Sequence, residues 1–310
     1  MHLELENIRK VYDQKVAVDN LSLSVPQGVI YGIIGPNGAG KTTTIRMIMN
    51  IIAPDSGRVM FDGKKADISF LERVGYLPEE RGLYKKMTLR QVITYMAELK
   101  GCPRKTTAGR ISPWLEKMGL IEYIDQKVEE LSKGMQQKLQ FITTIIHEPD
   151  IIILDELFSG LDPINVELIK GILMDLKREG KTILFSTHVM EQAEKLCDNI
   201  CMILDGHKVL DGKIGDIKSQ FGKNALQVEI EGDGSFIKQL PGVANLAEYN
   251  NYLEIMLADN ADPQSILRQM IEKVKVRRFE MAEPSLYEIF ISTAKLDPKE
   301  LEIQAGSAGV

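Results

Sequence analysis

From the N-terminus, apolar residues first recur at every second position. LELENI (3–8), LSLSV (21–25) and the continuous run VIYGIIG (29–35) read as strands, with Pro26, Gln27 and Gly28 as turn formers between the last two. VIYGIIG is apolar at successive positions, the pattern of a strand buried on both faces of a sheet. After it the period changes. GPNGAGKTTTIRMIMN passes from a glycine-rich turn into a helical spacing, with Ile45, Ile48 and Met49 on one side. From Thr88 to about Ile146 the spacing stays helical, through Val92, Tyr95, Met96 and Leu99 and then Trp114, Leu115 and Met118. An inserted helical subdomain over about 84–145 is the expectation. Strand character returns in DIIILDE (150–156) and TILFSTH (182–188), with a helix from about Asn165 to Glu179 between them that stops at Gly180. A strand-helix-strand crossover requires parallel strands, so the fold class is α/β.

ICMILDGHKVLDG (200–212) then predicts a hairpin, because Asp205 and Gly206 supply the positive φ angles of a tight primed turn. The first domain is expected to close at residue 220. Beyond it the order becomes ALQVEIE, SFIKQL, VANLAEY, YLEIML, DPQSILRQMIEKV, KVRRFEM and PSLYEIFIST. The βαββαβ succession predicts a small α+β ferredoxin-like domain over 221–297. Asp262 before Pro263 marks a helix start, with Ile266, Leu267, Met270, Ile271 and Val274 as its apolar stripe. Residues 298–310, ending AGSAGV, are expected to be disordered.

A chain of 310 residues suits one large and one small core, and 44% hydrophobic with 26% charged residues is a globular composition. The net charge of −6, without a long Lys/Arg run, excludes the basic footprint of a nucleic-acid partner. No stretch of about 18 apolar residues exists to cross a bilayer, and MHLELENIRKVY reads as a strand rather than a secretory leader. A cytoplasmic location follows as the expectation. Cys102, Cys197 and Cys201 form no CxxC pair and read as ordinary free thiols.

The chemistry concentrates in two motifs. Gly35, Pro36, Asn37, Gly38, Ala39, Gly40, Lys41 and Thr42 fit GxxxxGK[ST], and Thr43 continues into the helix. Glycines let backbone N–H groups approach phosphate oxygens, Lys41 reaches the β and γ phosphates, and Thr42 offers a hydroxyl to Mg²⁺. IIILDE (151–156) delivers Asp155 and Glu156 at a strand's C-terminal end, where ligands bind in open α/β sheets. Asp155 suits Mg²⁺, and Glu156 suits orienting or deprotonating a water. Together they specify a P-loop nucleoside triphosphatase with Mg²⁺, with several classes still open.

LSKGMQQKL (131–139) resembles the LSGGQ signature of ABC ATPases. Ser132 and Gly134 match it, while Lys133 and Met135 depart from it. Further matches follow in the family's order: SGLD ending at Asp162 resembles the D-loop, STH ending at His188 the switch histidine, and Tyr12 the aromatic that stacks on adenine. Glu79, in GYLPEERGLY, stands where the family has its Q-loop glutamine and keeps an oxygen for Mg²⁺. PEERGLY and PSLYEIF resemble a bacterial branch that includes sodium and antibiotic exporters and carries a C-terminal accessory domain. The resemblance implies catalytic roles for Lys41, Glu156 and His188, and nucleotide contacts from Tyr12, Glu79, Ser132, Gly134 and Asp162. It also implies a homodimer that sandwiches ATP, and a separate transmembrane permease that holds the chain at the inner face of the membrane. The second domain is left with two readings, a dimer-stabilising module or a regulatory ligand site. A soluble ABC ATPase acting in DNA repair, translation or regulation is the rival class, but the long coiled-coil insertion or second cassette usual there is missing.

Overall fold

The computed structural model describes residues 2–80, 82–221, 225–249, 251–258, 261–282 and 284–294; the tail expected to be disordered, 298–310, lies outside the described residues. The chain forms two compact units, Met1–Ile214 and Gly215–Val310. The division falls ahead of the expected boundary at 220, where the backbone N–H of Ile214 is still bonded to Asp198 O and a new helix begins.

The first unit opens with the antiparallel pair β1 (Leu3–Tyr12) and β2 (Lys15–Val25). β3 (Ile30–Ile34), buried throughout, feeds through the glycine-rich turn into α1 (Lys41–Ile48). Next come β4 (Ser56–Phe61), β5 (Lys64–Lys65), α2 (Ile68–Glu72) and β6 (Val74–Leu77). These four have no counterpart in the pattern reading, being too short to display a period.

The helical subdomain consists of α3 (Leu89–Leu99), α4 (Arg104–Lys117) and α5 (Lys133–Ile145). On α3 the buried stripe is Leu89, Val92, Ile93 and Ala97, so Leu99, expected inside, is exposed. Then follow β7 (Ile151–Asp155), α6 (Pro163–Arg178), β8 (Thr182–Thr187), α7 (Met190–Leu196), β9 (Asn199–Leu204) and β10 (His207–Lys213). α8 (Ile214–Gln220) spans the junction of the units.

Two sheets build this unit, one ordered β2-β1-β4-β5 and one ordered β10-β9-β3-β8-β7-β6. From β9 to β6 all neighbours are parallel, as the crossover pattern requires, and β10 returns antiparallel to β9. Asp205 and Gly206 make that return with φ of 46° and 82°, both positive as a primed turn demands. β3, β8 and β7 lie side by side in the sheet, so their C-terminal ends bring three distant sequence segments to one edge.

The second unit contains β11 (Ala225–Glu231), a 3₁₀ turn (Ser235–Gln239), β12 (Val243–Glu248), β13 (Leu253–Leu257), α9 (Pro263–Ile271), β14 (Lys275–Ala282) and α10 (Leu286–Ala294). Its sheet is antiparallel in the order β12-β13-β11-β14, the interleaving expected of the ferredoxin-like succession. Leu226, Val228, Ile255, Ile266 and Met270 form the buried core. Ile271, expected in the stripe of α9, is exposed, because it lies off the face that carries Ile266 and Met270.

Candidate functional site

The turn after β3 is glycine where backbone demands it. Gly35 has φ of 154°, and a Cβ there would lie 2.1 Å from Ile203 O in β9; Gly40 has φ of 107°, and its Cβ would lie 2.4 Å from Ala17 O. Neither position admits a side chain. Asn37 and Gly38 form the exposed tip, Pro36 is half-buried, Ala39 is buried, and Thr43 is half-buried in the first turn of α1. Gly40 is the N-cap of α1 and brings no side chain to its N–H groups. The result is a concave run of backbone donors at a helix N-terminus, a geometry suited to an anion.

Lys41 is 6% exposed, and its Nζ donates to Gly35 O at 2.9 Å and Pro36 O at 3.1 Å. The same ammonium stands 3.7 Å from Glu156 Oε1. Burial holds its pKa below the ordinary lysine value, opposed by the negative charges of Glu156 and Asp155.

Asp155 ends β7 fully buried. Its Oδ1 accepts from Ser186 Oγ and, at 3.4 Å, from Thr42 Oγ1, while Oδ2 is buried with no partner among the described residues. Burial raises its pKa despite those hydrogen bonds. An orphaned carboxylate oxygen beside a threonine hydroxyl is a set of hard oxygen donors, and it fits Mg²⁺.

Glu156 follows with φ of 52°, a left-handed conformation rare for a side chain of its size. Its backbone N–H bonds Ser186 O at 3.2 Å, and its carboxylate Oε1 lies 2.9 Å from His188 Nδ1. His188 is half-exposed while Glu156 is nearly covered. Beside them a cavity of about 410 Å³ is lined by Thr42, Arg46, Tyr76, Glu79 and Asp155 among others. Burial, then the charge of Asp155, pushes the Tyr76 hydroxyl up to about 12. The exposed carboxylate of Glu79 adds to the negative field on Asp155.

Thr42, Asp155 and Glu79 thus line one cavity, and Lys41 and His188 both meet Glu156, the residue that follows Asp155. The other expected residues stand differently. Tyr12 is 45% exposed at the end of β1, with Lys10 Nζ 5.8 Å from its ring centre. Ser132 accepts from Met135 N at 3.3 Å as N-cap of α5, whose first turn holds Gly134. Asp162 accepts from Asn165 N at 3.0 Å as N-cap of α6. Within one chain, these last two make local cap bonds.

Three residues escaped the sequence reading. Ser186 anchors Asp155, and its signal was the hydroxyl at an otherwise apolar strand position in TILFST. Gln137 and Gln140, both buried on α5, donate to backbone carbonyls of the two neighbouring loops: Gln137 to Leu157 O at 3.0 Å, and Gln140 to Pro78 O and Glu80 O, each at 3.4 Å. Polar residues on the buried face of a helix were the available signal.

Comparison with known proteins places this site in context. Residues 18–159 match the family described as ABC transporter, and residues 212–294 match the one described as ATP-binding protein DrrA1-3-like, C-terminal domain. The chain is 41% identical over 289 residues to the uncharacterized ABC transporter ATP-binding protein YhaQ of Bacillus subtilis (strain 168), covering 93% of this chain and 97% of that relative. It is 36% identical over 230 residues to the Nod factor export ATP-binding protein I of Burkholderia orbicola (strain AU 1054), covering 73% and 76% respectively. A solved structure described as the ATP binding subunit of an ABC transporter superposes with a TM-score of 0.67 at 30% identity, over 72% of this chain and 94% of that one. A likeness running through nearly the whole length of a relative makes this chain a member of the ABC transporter ATP-binding proteins, the nucleotide-binding subunit of such a transporter.

Proposed function

We propose that this subunit hydrolyses ATP, with Mg²⁺, to drive an exporter of ions or small hydrophobic compounds through a separate membrane-spanning permease. The observation that carries the reading is the meeting of Lys41, Glu156 and His188 beside the orphaned oxygen of Asp155. Backbone N–H groups from Asn37 to Thr42 bind the phosphates, and Lys41 exchanges its bonds to Gly35 and Pro36 for bonds to phosphate oxygens. Thr42 and Asp155 hold Mg²⁺, with Glu79 as a further oxygen donor. When bound, the ion neutralises negative charge on the phosphates. Glu156 orients the attacking water and takes its proton, while His188 holds the carboxylate's Oε1 in place. Tyr12 stacks on the base.

Ser132 and Gly134 of a second copy complete the site by closing on the same nucleotide, and Asp162 lines that junction. Two copies therefore sandwich two ATP molecules, and loss of the γ-phosphate reopens them. The Glu79 loop and the helical subdomain couple this cycle to the permease, which holds the subunit at the inner face of the membrane. Export is supported by the relative whose name includes Nod factor export. None of the described helices is long and apolar enough to cross a membrane.

The Glu156→Gln variant tests this reading by sizing chromatography with and without ATP. It is expected to bind ATP, hydrolyse it at least about 100-fold more slowly, and become a dimer only when ATP is present. Hydrolysis at the wild-type rate would remove Glu156 from catalysis. A variant that binds ATP yet stays monomeric would overturn the sandwich.

A further inference from the structure

One face of α5 is polar although it is buried. Gln137, Gln140 and Thr144 recur there at i, i+3 and i+7. All three meet main-chain oxygens in β6 or in the loops that follow β6 and β7. Thr144 Oγ1 lies 3.5 Å from Tyr76 O, and the carbonyl of Thr144 stands so close to β6 that a Cβ on Gly75 would be 2.2 Å from it. Gln137 donates to Leu157 O, one residue beyond Glu156. Gln140, between them, donates from Nε2 to Pro78 O and to Glu80 O. One amide group therefore holds the main chain on both sides of Glu79.

This arrangement contributes little to stability. Both bonds are 3.4 Å long, and Gln140 Oε1 is buried with no partner among the described residues, so an acceptor is desolvated without return. Methionine or leucine would fill the same space without the orphaned oxygen. Neither could hold residues 78 and 80. Glu79 itself is exposed, so packing does not fix its side chain, and the direction of its carboxylate follows from the main chain that carries it.

We propose that Gln140 is a positioning residue for the divalent cation: by holding the carbonyls of residues 78 and 80 it places the Glu79 carboxylate on the cavity that Thr42 and Asp155 share, and so sets how tightly the site retains the ion. Gln140 touches neither the ion nor the nucleotide and acts only through the loop. Its role rests on Glu79 being an oxygen donor to Mg²⁺.

The test uses Mn²⁺ as the probe, read by electron paramagnetic resonance, in full-length Glu156→Gln protein loaded with ATP. Adding Gln140→Met is expected to weaken Mn²⁺ binding about tenfold, the loss usual when a residue that orients a metal ligand is removed. ATP affinity in EDTA is expected to stay the same, and the nucleotide-free unfolding midpoint is expected not to fall. Gln140→Leu, of a different shape, should behave alike. Glu79→Ala is expected to weaken Mn²⁺ binding as well, and Gln140→Met added to it should cost nothing further, because no carboxylate is left to place. Unchanged Mn²⁺ affinity in both Gln140 variants, additive losses with Glu79→Ala, or a lowered unfolding midpoint in both variants would each overturn the proposal. If Glu79→Ala held Mn²⁺ like its parent, Glu79 would not be a donor at all, and the positioning role would fall with that reading.

Discussion

Two helix starts in this molecule follow opposite designs. α9 begins at Asp262-Pro263, and the Asp262 carboxylate accepts from Gln264 N at 3.0 Å and Ser265 N at 3.2 Å. α6 begins the same way, with Asp162-Pro163. α1 begins at Gly40, with no side-chain cap and no acidic residue in its first turn. A helix leaves its first N–H groups without intrahelical partners, and the chain can answer them itself or leave them for a ligand. α9 answers its own donors and gains stability. α1 leaves them open beside a buried ammonium, so the positive end of the helix is available to phosphate.

The largest effect that would break this contrast is on binding. Lys41→Met is expected to weaken ATP binding about 100-fold, measured by titration with a fluorescent ATP analogue, because it removes charge-assisted bonds to phosphate. If affinity held, the open helix start alone would suffice. The next effect concerns stability, with the opposite sign. Burial raises the Asp155 pKa, so its ionised form opposes folding. Any stability it contributes is present below its ordinary titration range and lost as pH rises through the raised value. Asp155→Asn should therefore raise the nucleotide-free unfolding midpoint at neutral pH, and the two unfolding curves should converge as pH falls and the carboxyl protonates. Unchanged midpoints at neutral pH would mean that the unpartnered oxygen carries no strain. The smallest effect belongs to the capped helix. Asp262→Ala should lower stability by about 1 kcal/mol in urea unfolding and leave ATP affinity unaltered.

The parts of the fold legible in the sequence are those where period and turn chemistry agree. VIYGIIG before the glycine-rich turn, IIILDE, and the Asp205-Gly206 return are local statements, and each keeps its meaning in three dimensions. β4, β5 and β6 were not legible, because such short segments are decided by the neighbours they pair with. Leu99 and Ile271 show the limit of the 3.6 period, since each lies off the face its helix buries, Leu89, Val92, Ile93 and Ala97 on α3 and Ile266 and Met270 on α9. In the site, Asp155 and Glu156 could be picked out from the strand that carries them. Ser186 offered only a hydroxyl within an apolar strand, and its partner could not be named from it, because the pairing follows from parallel register: β7 and β8 set Asp155 beside Ser186.

One junction leaves a particular mark on inheritance. The N–H of Gly206 bonds Ala39 O at 3.0 Å, and Gly206 O accepts from Asp19 N at 2.9 Å. The β9–β10 turn is thereby tied to both the phosphate loop and β2 entirely through main chain. Such a joint is blind to side-chain identity, so relatives can exchange residues 19 and 39 without compensating changes at 206. Co-variation between these segments should then be silent although they touch, and their contact would register in an alignment only as a glycine that does not drift.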